Sequence, residues 1–365
     1  MSELRIAVIG AGHLGRIHSK LLGQVDGARL VAVSDPFEAA RAQAAELFGV
    51  PVHADYRECL PEIDAAVIAA PSDSHFEIAR TLIENGKHVL VEKPLTIQGD
   101  DANRLAALAE ARKVTLQVGH VERFNPAFTA LESMALDVKY VEAVRASSFP
   151  GRCLDVGVVM DLMIHDLDLI LSMTDAEVKA VSASGLAVVS DHEDLAETRI
   201  EFECGLVANV KASRVSPEPA RQMQVFGSHG FAEIDFGTPE LSVVRPCDSI
   251  VRREFDLATE TDNPLGYSGQ LFSERLRCEK LELEPRNAIL DELHDFVISI
   301  QTGVAPAVDG FAGARAVNLA QQVLEAVGQR AWYPNASQLE RGPHAFVREG
   351  IEERSRRIHQ DRRAA

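Results

Sequence analysis

Ile6-Ala7-Val8-Ile9-Gly10-Ala11-Gly12-His13-Leu14-Gly15 opens the chain, and Asp35 follows it at a distance of twenty residues. Four apolar residues in a row read as a buried strand, the glycines as a turn, and Ile17, Leu21 and Leu22 as the apolar stripe of a helix. In that setting each glycine has a task. Gly10 permits the tight turn, Gly12 lets the backbone approach a pyrophosphate, and Gly15 allows the helix to pack closely on the strand. The helix start, with His13 and Leu14 in its first turn, offers free N–H groups and a positive dipole end to phosphates. Asp35 closes the next strand, where a carboxylate accepts the adenine ribose hydroxyls of a dinucleotide. It would repel a 2′-phosphate, and Pro36 follows with no adjacent Arg, so NAD is expected rather than NADP.

Outward from this stretch the βα alternation continues. Strands are expected at Leu30–Ser34, Ala65–Ala69, His88–Val91 and Thr115–Gly119. Helices are expected between them at Ala39–Phe48, Phe76–Asn85 and Ala102–Arg112. Short apolar strands separated by helices imply a doubly wound parallel sheet covered on both faces, a Rossmann domain over residues 1–120. After Gly119 the texture changes. Val141–Ser147, Ala180–Val189, Ala196–Phe202, Leu206–Ser213, Arg221–Gly227 and Gly230–Phe236 follow one another with few helices between. That pattern predicts an α+β second domain over 121–335 with an open, mostly antiparallel sheet, and late helices at Ala288–Thr302 and Phe311–Gln329. Residues 336–365 form a charged tail, expected as a solvated, fraying helix.

The global numbers exclude several classes. With 365 residues and 46% hydrophobic content the chain can build two cores. A net charge of -18 argues against a non-specific partner among nucleic acids or anionic membranes. No run approaches the ~20 apolar residues of a membrane span. The first strand begins so early that no signal peptide fits before it, and a cytoplasmic location is expected. Cys59, Cys153, Cys204, Cys247 and Cys278 have no paired metal spacing, so reduced thiols and no metal site are expected. Asn335-Ala336-Ser337 matches a glycosylation acceptor that carries no meaning in that compartment.

Two further segments carry chemistry. Val89-Leu90-Val91-Glu92-Lys93-Pro94 ends the fourth strand, and loops at carboxyl ends of parallel strands line the ligand crevice. Pro94 keeps Lys93 out of helical geometry, which holds an ammonium at the strand end, suited to acid–base work; a surface Lys paired with Glu92 is the plainer alternative. Pro71 and His75 lie in an equivalent loop, where Ser72 or Asp73 could equally be a helix cap. Within the apolar run Met160 to Met173, Asp161, His165 and Asp168 share one helix face. Burying such groups is costly unless they pair or meet a ligand. An Asp that orients a His points to proton transfer, against the alternative of a satisfied core pair.

These residues together resemble the Gfo/Idh/MocA oxidoreductases: the N-terminal fingerprint, the Glu92-Lys93-Pro94 turn, and Asp161 four before His165. The resemblance runs from about Arg5 to Val327 and includes Asn287-Ala288-Ile289-Leu290-Asp291-Glu292-Leu293 near the family's late helix. The family often has a small residue between that Asp and His, whereas here the run is Leu162-Met163-Ile164. The resemblance implies NAD(P)-dependent oxidation or reduction of sugars and cyclitols. It places Lys93 and His165 beside the reacting hydroxyl and Asp161 beside His165, and it leaves open which of Lys93 and His165 is the formal base. It also implies a homodimer or homotetramer built on the open sheet. Gly119-His120-Val121-Glu122-Arg123-Phe124-Asn125-Pro126 is similar to a branch that oxidises UDP-N-acetylglucosamine at C3, whose product meets a pyridoxal-phosphate aminotransferase on the way to lipid A. Inositol or a free sugar is the alternative substrate, and a non-catalytic dinucleotide sensor the alternative function. Arg123 and Asn125, just after the fifth strand, are candidates for sugar or phosphate oxygens. Arg152 and Arg214 are candidates for the diphosphate, with a surface salt bridge as the equal alternative for both.

Overall fold

The computed structural model describes residues 3–134, 136–149, 156–190, 192–263 and 266–329. Its first layer is a six-stranded sheet in the order β3-β2-β1-β4-β5-β6, every pair parallel. The strands are β1 (Leu4–Ile9), β2 (Ala28–Ser34), β3 (Val52–His53), β4 (Ala65–Ile68), β5 (His88–Glu92) and β6 (Leu116–Gly119). Between them run α1 (His13–Leu22), α2 (Glu38–Phe48), α3 (His75–Glu84) and α4 (Gly99–Arg112). Ala65, Ala66, Val67 and Ile68 of β4 are all fully buried, as a strand covered on both faces requires. Strand order reverses between β1 and β4, so the crevice at their carboxyl ends is the natural ligand site.

Pro126–Glu132 forms α5 and leads into the second layer, an eight-stranded sheet. Its strands are β7 (Val138–Ala146), β8 (Val178–Leu186), β9 (Leu195–Phe202), β10 (Val207–Ser213), β11 (Ala220–Gly227), β12 (Gly230–Asp235), β13 (Glu240–Pro246) and β14 (Leu276–Leu281). They lie in the order β14-β13-β12-β11-β7-β10-β9-β8, and only β7 and β10 run parallel. Buried and open positions alternate, as in Ala196, Thr198, Ile200 and Phe202 of β9, which is the pattern of a sheet with one packed face. The Met160 segment is a widened π turn over Val159–Met163 that continues as α6 (Ile164–Ser172). The fold is thus a Rossmann sheet joined to an open, mostly antiparallel one, as the sequence predicts.

Three strands escape the sequence reading. β3 has two residues, and β14 (Leu-Arg-Cys-Glu-Lys-Leu) is an edge strand with no buried residue, so neither carries an apolar signature. β13 alternates correctly but starts on Glu240 and ends on Pro246. The last two helices are α7 (Ala288–Thr302), capped by the Asn287 side chain and closed by Gly303 at φ 74°, and α8 (Gly310–Gln329). α8 packs on α4 and α6, across both layers. α7 returns to the first layer: Leu293, Phe296 and Val297 share a core with Ile6, Val8, Leu21 and Leu22.

Candidate active site

The crevice begins at the glycine turn. Gly10 has φ +100°, and a β-carbon there would stand 2.4 Å from the Ala69 carbonyl oxygen; one on Gly15 would stand 1.8 Å from the Gly10 oxygen. Around Gly12 nothing lies within 4 Å of the corresponding position, so the backbone faces open space. α1 starts without a side-chain cap, leaving its first N–H groups for a ligand, and His13 and Leu14 are exposed beside them. Asp35 braces the turn from the end of β2: Ala11 N–H donates to Oδ2 at 2.8 Å and Phe37 N–H to Oδ1 at 2.8 Å. These features fit a dinucleotide, with the pyrophosphate on α1 and the adenosine ribose at Asp35. One expectation is corrected here. An arginine does stand at that edge, because the first turn of α2 brings Arg41 back to donate to the Asp35 and Pro36 carbonyls, each at 2.9 Å.

Lys93 ends β5 in a cis Lys93–Pro94 turn and reaches over to the second layer. Its Nζ donates to the Asp161 backbone oxygen at 2.6 Å and to Asp161 Oδ1 at 3.0 Å. Asp161 is therefore the partner of Lys93 and not the orienter of His165. An ammonium offers the carboxylate a full charge, whereas His165 is held neutral. Burial, then the positive fields of Lys93 and Arg145, push the His165 pKa well below its ordinary value. His165 Nδ1 is buried without a hydrogen-bond partner.

His120, absent from the sequence-based candidates, meets His165 edge-on with ring centroids 6.3 Å apart. It is 1% exposed, both ring nitrogens lack partners, and burial lowers its pKa against the opposing charge of Asp168. Asp168 in turn faces Arg123 Nε at 3.3 Å, an ion pair without hydrogen-bond alignment, and burial raises its carboxyl pKa. Arg123 also donates to Glu132 at 3.2 Å and to the Ala307 carbonyl at 3.4 Å, and its side chain stays partly exposed. Below this group Arg145 is buried between two acids, at 2.8 Å from Asp166 and 2.7 Å from Glu122.

Several expected ligand contacts are instead structural. Asn125 caps α5 by accepting from Ala127 N–H at 3.1 Å and donates to Glu122 at 3.2 Å, so its amide is committed. Arg214 is fully buried, donating to Asp194 at 2.8 Å, the Val156 carbonyl at 2.9 Å and Ser190 at 2.8 Å, and cannot reach a diphosphate. His75 is 1% exposed, with its ring nitrogens on the Pro94 and Ala70 carbonyls at 2.8 and 2.9 Å; it staples the β4 loop to the lysine turn. Glu92 is committed to His18 Nε2 at 2.7 Å rather than to a cofactor, while Pro71 stands exposed at the loop tip. Arg152 lies outside the described residues.

Residues 4–120 match the profile of an oxidoreductase family with an NAD-binding Rossmann fold, and residues 138–233 match a GFO/IDH/MocA C-terminal domain. The chain belongs to the Gfo/Idh/MocA oxidoreductase family. Among relatives of this Gfo/Idh/MocA protein, a UDP-N-acetylglucosamine 3-dehydrogenase of Acidithiobacillus ferrooxidans is 35% identical over 328 residues, covering 90% of this chain and 98% of that one. The NAD(+)-dependent scyllo-inositol 2-dehydrogenase of Bacillus subtilis is 32% identical over 234 residues, 59% of this chain and 68% of that one. The solved structure of the Acidithiobacillus ferrooxidans enzyme superposes with a TM-score of 0.78 at 34% identity, again over 90% and 98% of the two chains. A levoglucosan dehydrogenase in complex with NADH and L-sorbose shares the fold, with a TM-score of 0.77 at 19% identity over 90% of this chain and 98% of that one. This member of the Gfo/Idh/MocA family is a dehydrogenase, its cofactor is NAD, and no described helix is long and apolar enough to cross a membrane.

Proposed function

We propose that this protein oxidises the C3 hydroxyl of UDP-N-acetylglucosamine to a ketone. The observation that carries the chemistry is the Lys93–Asp161 pair set beside a neutral His165 at the carboxyl ends of the parallel strands. The observation that favours the substrate is the 35% identity to the Acidithiobacillus ferrooxidans enzyme over 90% of this chain, above the 25–32% of the inositol dehydrogenases. The glycine turn and the start of α1 would hold NAD, which when bound would supply the acceptor for the hydride leaving C3. His165 takes the hydroxyl proton, because its imidazole is already deprotonated at neutral pH. Lys93 Nζ spends two N–H bonds on Asp161 and aims its remaining positive charge at the oxygen, stabilising the alkoxide as the C–O double bond forms. Asp161 fixes that ammonium, and Arg123, whose guanidinium already meets Glu132, Asp168 and the Ala307 carbonyl, holds substrate oxygens through its remaining N–H groups. Proton transfer of this kind is worth roughly 10²–10⁴-fold in rate.

A 3-keto sugar nucleotide is a substrate for transamination, so we place the protein before a pyridoxal-phosphate aminotransferase, on a route to the amide-linked sugars of lipid A. We assign the open face of the second sheet, which presents Glu142, Glu197, Arg199 and Lys211, to self-association in a cytoplasmic homo-oligomer. The test adds UDP-N-acetylglucosamine and, separately, myo-inositol to protein with NAD and follows NADH absorbance. Turnover of the nucleotide sugar is expected. Turnover of inositol alone would establish the polyol reading, which rests on inositol dehydrogenases of lower identity, 32%, 28% and 25%.

A further inference from the structure

At Glu92, the residue before Lys93, three ionisable side chains from three elements meet in the interior. His18 comes from α1, Glu92 from β5 and Glu292 from α7, and one ligating atom of each lies within 4.8 Å of the other two. All three are buried, at 0%, 9% and 1% exposure. His18 Nε2 donates to Glu92 Oε1 at 2.7 Å. Among the described residues both Glu292 carboxylate oxygens lack a hydrogen-bond partner, as does His18 Nδ1. The packing around them leaves little slack: a β-carbon on Gly119 would stand 3.0 Å from Glu92 Oε2. On the other side Gln117 donates to the Glu292 backbone oxygen at 3.0 Å.

Two buried carboxylates side by side cannot both stay charged unless a cation or a proton joins them. A shared metal ion fits the distances poorly. Two ligands of a tetrahedral ion, each about 2.0 Å from it, sit roughly 3.3 Å apart, whereas His18 and Glu92 are already at hydrogen-bond length. We propose that Glu292 is a positioning residue that holds a proton and, directly or through one water, donates it as a hydrogen bond to the Glu92 carboxylate, fixing the turn that carries Lys93. This deepens the dehydrogenase reading and rests on it for Lys93. The electrostatics agree with the assignment of charge. Burial, then the charges of Glu92 and Asp295, raise the Glu292 pKa well above the ordinary range. Burial acts upward on Glu92 too, but the His18 bond, Lys93 and His75 outweigh it and leave Glu92 ionised.

Because α1 also receives the pyrophosphate, the triad ties the cofactor helix, the lysine turn and the late helix into one unit. Glu292→Gln keeps a donor for Glu92 and Glu292→Leu removes it. With NAD and whichever substrate the wild type turns over, the Gln variant is expected to keep most of kcat. The Leu variant is expected to lose between about 10- and 100-fold in kcat, with KM much less affected. Substrate-independent readouts separate failure of this proposal from failure of the dehydrogenase reading. The infrared difference between wild type and Glu292→Gln at neutral pH should show the loss of one protonated-carboxyl C=O band. The melting temperature of the wild type should fall relative to the Gln variant as pH rises from about 5 to about 8, since the folded state retains a proton that the unfolded chain releases. An unchanged kcat in the Leu variant, absence of the carboxyl band, or one equivalent of tightly bound divalent metal in the purified protein would each overturn it.

Discussion

In the proposed reaction Lys93 and His165 divide the work by charge. The lysine is paired with Asp161 at 3.0 Å, and burial and the nearby positive charge of that lysine push the pKa of the imidazole well below its ordinary value. Lys93→Met should therefore lower kcat by roughly 10²–10⁴-fold, and His165→Ala by a similar factor, in steady-state assays on protein whose circular dichroism is unchanged. The pH profile follows from the sign of the His165 shift. A base whose pKa is lowered stays deprotonated further into acid, so the acid limb of kcat should lie below the ordinary histidine value of about 6.5, and a limb at or above it would assign the base elsewhere. The Asp161–His165 spacing was legible in the sequence, but the pairing was not. A four-residue interval shows that two side chains share a helix face and is silent about a lysine 68 positions away that approaches from another sheet. His120 and Glu292 were illegible for a related reason: neither stands in a periodic polar pattern, and only burial without partners marks them.

At the scale of elements, the strand–turn–helix unit of β1 and α1 is the part most fully written in the sequence, because its chemistry is local. Gly15→Ala places a methyl 1.8 Å from the Gly10 carbonyl oxygen, so it should abolish NADH binding in a fluorescence titration. Asp35 and Arg41 meet at the edge proposed for the ribose, where Arg41 donates to the Asp35 carbonyl. Asp35→Ser should raise the ratio of NADP to NAD use, measured as kcat/KM for each, since it removes the repelling carboxylate and leaves a guanidinium nearby. β7 presents a different case. Arg145 sits between Glu122 and Asp166, and Arg145→Met leaves both acids buried without their cation, at a cost of about 3–5 kcal/mol in urea denaturation. A buried arginine such as Arg214 looks like a ligand-binding residue in sequence because charge is visible there and burial is not.

For the whole molecule, the two-sheet architecture was readable because parallel strands are uniformly apolar and the second-layer strands alternate. The return of α7 to the first layer was not, since an amphipathic helix does not state which surface it covers. Residues 1–120 expressed alone should accordingly bind the dye ANS and melt without cooperativity, because Leu293, Phe296 and Val297 no longer cover Leu21 and Leu22. The same return has a consequence in time. During translation at roughly 5–20 residues per second, α7 leaves the ribosome on the order of ten to thirty seconds after β6. For that interval the nascent chain carries a finished nucleotide turn on a helix whose outer face still lacks its cover. With Glu292 in its proposed role, assembly of the turn that carries Lys93 is a late event in the birth of the protein, completed only when α7 has been made.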